Sequence, residues 1–319
     1  VTLRTVGLRL AGLVVSLLVA SLLIFLATNA LPGDVAQVIL GTNASPGEVE
    51  ALRQRLGLDR PLSVRYVEWV TGVVRGDFGT SMITGRDVVS QIAPRLEVSL
   101  WLVGLAMVLA ILISLPLGAF AAVRRRHASG FVASAIAQIG LSIPAFWAGI
   151  WLVVIFAVTL RWLPAGNYVS YWDSLGQWAL HLVLPVTALA VVQASILARY
   201  VRSAIIDVLG EDWFRTARSV GWSTWGALLR HGSRNVAISL LTVIGLQLST
   251  LLVGAIIIEQ VFALPGLGSR LLLAVGQRDL VVVQGIVLLL VWAVLVINFV
   301  VDVIYQFVDP RLRRVGTNR

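Results

Sequence analysis

The side chains that usually carry enzyme chemistry are largely missing from this sequence. It has no cysteine, three histidines, and all 25 of its basic residues are arginine. Disulfides, thiol nucleophiles and Cys-ligated metals are therefore excluded. So is a phosphate-binding P-loop, whose lysine must reach the β- and γ-phosphates of a nucleotide. No His or carboxylate cluster marks a metal site, and neither a cofactor nor a catalytic residue is expected.

What remains is a small set of polar groups within long apolar stretches. Gln138, Gln193, Gln247 and Asn298 are uncharged, whereas Glu97, His181 and Glu259 fall near the ends of such stretches and Asp302 toward the end of the last. Carriers that run on ion gradients display ionisable groups at membrane depth, and this sequence hardly does. The amides either hydrogen-bond between helices or line a path for a solute. Gln193, Gln247 and Glu259 are the candidates for such a path.

The elements that must hold these groups are membrane-spanning helices. The chain is 58% hydrophobic and 13% charged, against roughly 45–50% and about 25% for soluble domains. A span needs about 20 apolar residues, and six fit, at about residues 6–28, 98–123, 131–160, 181–201, 236–262 and 280–307. The first is longer than the roughly 7–15-residue core of a signal peptide and lacks a small-x-small cleavage pattern in Asn29-Ala30-Leu31-Pro32-Gly33-Asp34, so it reads as a retained helix.

The net charge is +9, but the arginines are scattered between spans and line no single face, which argues against nucleic acid as a partner. Six spans put both termini on one side. Arg4 and Arg9, Arg124 to Arg126, the arginines between Arg199 and Arg234, and those after Asp309 then share that side. The short loops opposite hold only Arg161, Arg270 and Arg278, so the first side, with both termini, is expected to be cytoplasmic. Residues 30–96 form the one long extramembrane stretch, close to neutral and expected outside. Within it Thr42-Asn43-Ala44-Ser45-Pro46-Gly47-Glu48 reads as a turn leading into a capped helix.

Between residues 202 and 235 the chain is punctuated by Gly, rich in Arg and Trp, and has no spanning apolar run. Trp213, Phe214, Ala217 and Val220 recur at helical spacing, Gly221 interrupts, and Trp225, Leu228 and Leu229 continue beyond. This pattern predicts two short amphipathic helices about a turn. Such a pair either lies on lipid headgroups or seats its apolar knobs in a partner's groove.

The run Glu211-Asp212-Trp213-Phe214-Arg215-Thr216-Ala217-Arg218-Ser219-Val220-Gly221, with Arg230-His231 and Arg234-Asn235 beyond it, resembles the EAA loop of ABC importer permeases. The family's Glu-Ala-Ala is replaced here by Arg-Thr-Ala. The resemblance implies a loop that couples to an ATPase subunit through Glu211, Thr216, Ala217, Gly221 and His231. Further motifs are similar to those of dipeptide, oligopeptide and nickel permeases: Pro32-Gly33-Asp34, Leu56-Gly57-Leu58-Asp59-Arg60-Pro61-Leu62, Arg75-Gly76-Asp77-Phe78-Gly79-Thr80-Ser81, Leu141-Ser142-Ile143-Pro144-Ala145-Phe146-Trp147, Glu259-Gln260-Val261-Phe262, Leu264-Pro265-Gly266-Leu267-Gly268 and Asp309-Pro310-Arg311.

The resemblance implies an all-α polytopic membrane protein with six transmembrane helices and type I ABC importer permease architecture. Its parts would be an N-terminal helix (1–29), an external loop (30–96), a five-helix core (97–310) with the coupling loop at about 203–235, and a cytoplasmic tail (311–319). Implied partners are a second homologous permease subunit, two ATP-binding subunits and an external substrate-binding protein, all at the cytoplasmic membrane and its lipid. The expected function is ATP-driven import of di- or oligopeptides. Nickel or other peptide-sized cargo by the same mechanism, a gradient-driven secondary transporter and a membrane sensor or scaffold are the alternatives.

Local chemistry adds two expectations. The Pro and two Gly residues of Leu264-Pro265-Gly266-Leu267-Gly268 force an irregular turn beside Glu259, either an outer gate or a rigid loop. Pro116, Pro144 and Pro185 lie in apolar spans and are expected to kink them, shaping a path or improving packing.

Overall fold

The computed structural model describes residues 3–30, 35–41 and 44–308. Pro32-Gly33-Asp34, Thr42-Asn43, Asp309-Pro310-Arg311 and the tail 311–319 lie outside the described residues. The helices are α1 (Leu3–Asn29), α2 (Val35–Leu40), α3 (Pro46–Arg55), α4 (Leu62–Val74), α5 (Val88–Val123), α6 (Ala128–Ser142), α7 (Ala145–Leu152), α8 (Leu175–Gly210), α9 (Asp212–Ser219), α10 (Thr224–Ala227), α11 (Ser233–Val261), α12 (Leu267–Gln277) and α13 (Leu280–Val308). Helix α7 runs on into a π-helical stretch, Val153–Thr159, and α10 joins α11 through another, Leu228–Gly232. The described residues contain no β-strand, only an isolated bridge between Thr80 and Asp87.

Five helical stretches among the described residues are long and apolar enough to cross a membrane: Gly7–Asn29, Val88–Val123, Leu175–Gly210, Thr224–Val261 and Leu280–Ile304. A sixth results only if the pair Ala128–Ser142 and Ala145–Thr159 makes one crossing, and that pair is bent by 96°. The expectation of one kinked span over 131–160 therefore gives way to a break. Proline has no N–H to donate and pushes the residue before it out of the helical region. Ile143 is accordingly extended, at φ −94° and ψ 118°, and Pro144 starts a new helix. Pro185, by contrast, stays inside α8.

The long polar stretch after α1 holds three helices, and α5 already begins at Val88. The capped start read from sequence is present in α3. Ser45 Oγ accepts the Glu48 N–H at 3.4 Å, and the Glu48 carboxylate accepts the Ser45 N–H at 2.8 Å. This reciprocal capping box holds the Glu48 carboxyl below its ordinary range, chiefly through the backbone hydrogen bond.

The chain divides into two compact units. Among the described residues, one is built on Leu100–Leu264 together with 3–6 and 297–308; the other is Gly7–Ser99 with Pro265–Val296. In the first, α8 is the central element and packs on α11, α6 and α7. Lipid gives helices no hydrophobic reason to associate, so close approach through small residues does that work. A Cβ on Gly140 of α6 would collide with Ser195 Oγ of α8, and one on Gly118 of α5 would lie 2.6 Å from the Ala198 carbonyl of α8.

In the second unit, Phe25 of α1 meets Tyr66 edge-on with ring centroids 5.4 Å apart, and Ser21 Oγ lies 2.9 Å from the Tyr66 hydroxyl. Gln284 of α13 donates to Thr28 Oγ1 of α1 at 2.6 Å. Val88, Ile92, Leu267, Ala274, Val282 and Ile286 form its buried apolar cluster. The turn before α12 differs from the glycine-driven one expected. Ala263 carries the positive φ, at 49°. Gly266 is extended as the residue preceding α12, and Gly268 is a buried position within that helix.

Candidate functional site

Helix α8 ends at Gly210, and Glu211, extended at φ −69° and ψ 143°, turns the chain into α9. The apolar side of α9 is already occupied by its own chain. Phe214 is buried among Ala122 of α5, Val201, Ile205 and Val208 of α8, and Val236 of α11, with Trp213 and Ala217 half-buried against them. These residues are thus the root that ties α9 to three long helices. Thr216, Val220, Gly221 and Trp222 face outward, with Val220 75% exposed. The knobs expected for docking therefore divide into an anchored set and an open set.

The turn after α9 is fixed by backbone chemistry. The Gly221 N–H donates to the Arg218 carbonyl at 3.1 Å and the Trp222 N–H to the Ala217 carbonyl at 3.2 Å. This is the hydrogen-bond pair of a Schellman termination, and Gly221 supplies its positive φ, +101°. Arg218 closes it by donating from Nη1 to the Trp222 carbonyl at 2.6 Å. The Trp222 ring then meets His231 edge-to-face at 5.4 Å. Glu211, Thr216, Ala217, Gly221 and His231 are thereby gathered on one helix–turn–helix element.

The second amphipathic helix expected after Gly221 is not a separate piece. Ser223 Oγ accepts the Gly226 N–H at 3.0 Å to start α10, and Thr224–Val261 then runs as one helical stretch. Gly226 and Gly232 both lie within this stretch. Gly232 is needed for contact: a Cβ there would lie 2.9 Å from Val208 Cγ1 and 3.0 Å from Leu228 Cδ1. Between α10 and α11 the described helix is unbroken apart from its π-helical stretch, Leu228–Gly232.

Of the three path candidates, two are neighbours. Gln193 of α8 is buried, and its Nε2 donates to the Gln247 main-chain carbonyl on α11 at 3.2 Å. The Gln247 side-chain oxygen accepts from the Thr250 hydroxyl at 2.9 Å. Gln193 Oε1 is buried with no hydrogen-bond partner among the described residues. Glu259 is buried as well, but a rise of 1.5 Å per residue puts it about 18 Å farther along α11 than Gln247, and about a third of a turn round. It does not join the Gln193–Gln247 seam. Gln138 lines a hollow with Arg199 and Arg202, and Asn298 is exposed on α13.

Residues 114–314 match the family model described as binding-protein-dependent transport system inner membrane component, and residues 2–103 match its N-terminal companion. The chain belongs to this family of importer permeases. Among its relatives is the glutathione transport system permease protein GsiC of Salmonella typhi, 42% identical over 305 residues, which span 96% of this chain and 97% of GsiC. GsiC of Escherichia coli strain K12 is 40% identical over the same coverage. The inward-facing structure of the MetNI methionine ABC transporter aligns with a TM-score of 0.56 over 69% of this chain and 97% of that one; at 20% identity it supports the fold alone.

As an ABC importer permease, the chain forms the membrane-spanning subunit, and ATP is hydrolysed on separate ATPase subunits. The absence of lysine accords with that division of labour. Permeases of this family work with a partner permease, ATPases and a binding protein.

One polar constellation in the permease was not singled out from sequence. In the second unit Arg270, 4% exposed, lies 3.6 Å from the fully buried Asp279. Ser81 Oγ donates to Asp279 Oδ2 at 2.5 Å, the Met82 N–H to Asp279 Oδ1 at 3.3 Å, and Arg270 Nη2 to Gln91 Oε1 at 2.7 Å. Removing one partner of such a buried pair typically costs about 3–5 kcal/mol, because the other charge is stranded. Ser81 belongs to the Arg75–Ser81 motif, but 198 residues separate it from Asp279, so no local pattern links them.

Proposed function

We propose that this permease admits peptide-sized solutes, glutathione among them, to the cytoplasm across the cytoplasmic membrane. In this reading one of the two ATP-binding subunits docks on the outward face of α9 and the Gly221 turn, with Glu211, Thr216, Ala217, Gly221 and His231 as the coupling positions, Ala217 at the half-buried root of that face. A second homologous permease completes the path, and an external binding protein delivers the cargo. Both termini lie in the cytoplasm, and the stretch between α1 and α5 enters from the outer side. Gln193, Gln247 and Glu259 contribute polar groups along the route.

The observation that carries the coupling role is the anchoring of α9. Phe214 is seated among α5, α8 and α11 while Val220 and Trp222 remain open. A docked ATPase that shifts this face moves all three helices together. The cargo assignment draws on the relatives named for glutathione transport. Glutathione is a tripeptide, which fits the likeness to peptide permeases.

The test is uptake into proteoliposomes holding the chain with its partner subunits, its binding protein and ATP. Radiolabelled glutathione and a dipeptide should accumulate, and accumulation should persist when a protonophore collapses the proton gradient. A preparation that hydrolyses ATP in response to its binding protein yet takes up neither compound would overturn the cargo assignment.

A further inference from the structure

The stretch between α1 and α5 reads as an extramembrane loop, yet part of it packs at membrane depth. Tyr66 of α4 reaches Ser21 of α1, and Val70, Val73 and Val74 line one apolar hollow with Leu17 and Leu18 of α1 and Trp292 of α13. Counted at 1.5 Å per residue from Asn29 and from Leu280, that hollow lies about 12–18 Å along both spans. Half of a bilayer's hydrocarbon core is about 15 Å. Helix α4 therefore descends to about the middle of the membrane.

There it stops and turns back. The Gly76 N–H donates to the Val73 carbonyl and the Asp77 N–H to the Gly72 carbonyl, both at 2.9 Å. Gly76, at φ +85°, makes the reversal. The chain then rises without helical structure until Gly79 lies beside Val281, near the start of α13. The three residue steps from Gly76 to Gly79 reach about 10 Å when extended, which carries the chain back toward the start of α13. The result is a re-entrant hairpin, helical on the way in and extended on the way out.

Its tip is polar. Arg75, Gly76 and Asp77 are exposed, next to Val74, which is 82% exposed. A charged side chain at the bilayer centre is costly, and non-helical backbone at that depth is tolerated only inside protein or against a water-filled cavity. Lipid is thus the wrong neighbour for Arg75 and Asp77. We propose that the Leu62–Gly79 hairpin lines the aqueous translocation cavity and that Arg75 and Asp77 present a cation and an anion to the passing solute, charges suited to a zwitterion such as a peptide. This rests on the importer assignment, and only its last step on peptide cargo.

The chain has no native cysteine, so single-cysteine variants report directly. Arg75→Cys and, separately, Val74→Cys would be compared with Leu22→Cys and Leu23→Cys on α1, which are exposed but nearer the membrane surface than the hairpin tip. Each variant is expressed with its partner subunits in native membranes, and co-purification of the ATPase subunits reports assembly independently. A sulfonate-bearing methanethiosulfonate, which does not enter lipid, should modify the tip cysteines and leave both α1 cysteines unmodified. Unreactive tip cysteines in an assembled complex would overturn the proposal, since the tip would then be buried or in lipid. Reactivity at all four positions would overturn it equally, by placing the hairpin outside the bilayer. Loss of ATPase co-purification in the unsubstituted protein would count against the coupling reading, not against the hairpin.

Discussion

Gly221 is exposed, and a Cβ at that position would touch nothing, so within the chain its substitution acts through the backbone. At φ +101° an L-residue is strained by about 1 kcal/mol or more, while Asn tolerates positive φ better than Ala. The strain falls on the Schellman turn that holds α9 and α10 together, and hence on the proposed path from docking face to α11. Gly221→Asn is therefore expected to weaken coupling, Gly221→Ala to weaken it further, and Gly221→Arg to abolish it by adding bulk to the docking face. The measurement is ATPase activity stimulated by liganded binding protein in the assembled complex. Gly221→Ala at the wild-type level would refute a conformational role for this turn.

At the level of helices, packing on α8 relies on missing side chains. Gly140→Ala would drive a methyl into Ser195 Oγ, and overpacking of this kind costs about 1–3 kcal/mol. Ser195→Ala in the same chain should recover part of the loss. Only part is expected, because the Ser195 Cβ would itself stand 3.1 Å from the new methyl. Thermal unfolding in detergent of the two single variants and the double variant gives the interaction directly. Strict additivity would mean that α6 and α8 do not approach at this point.

The same level shows what a sequence discloses and what it withholds. Apolar runs mark where α1, α5, α8, α11 and α13 cross because lipid exposure leaves its mark residue by residue. They carry no direction, so 131–160 reads as one span kinked at Pro144, although the two helices meeting there are bent by 96°. Gly221 was legible as a stop because the left-handed requirement is local. The reason for a glycine at 232 has no such local signature, because it is Val208, on another helix. For the path candidates the pattern named Gln193, Gln247 and Glu259 one by one; that Gln193 bonds the Gln247 backbone carbonyl on α11 is a contact between helices that no local pattern carries. The partners that Asp279 and Arg270 find in Ser81 and Gln91 were invisible for the same cause, separations of 198 and 179 residues along the chain.

For the molecule as a whole the bent pair α6–α7 decides whether the chain crosses the membrane five times or six. Each arm, Ala128–Ser142 and Ala145–Thr159, is about 22 Å long at 1.5 Å per residue, too short to cross alone. Bent by 96°, the pair spans roughly 30 Å from end to end, which matches a hydrocarbon core of about 30 Å if both arms tilt steeply. Charge favours a crossing: Arg124, Arg125 and Arg126 precede the pair, whereas Arg161 alone follows it before Asp173. The positive-inside rule then puts Arg126 in the cytoplasm and Asp173 outside. Both positions are exposed. In intact cells an impermeant thiol reagent should label Asp173→Cys, whereas Arg126→Cys should react only after permeabilisation. If both cysteines respond from the same side, the pair re-enters, the chain crosses five times, and its termini must lie on opposite faces of the membrane.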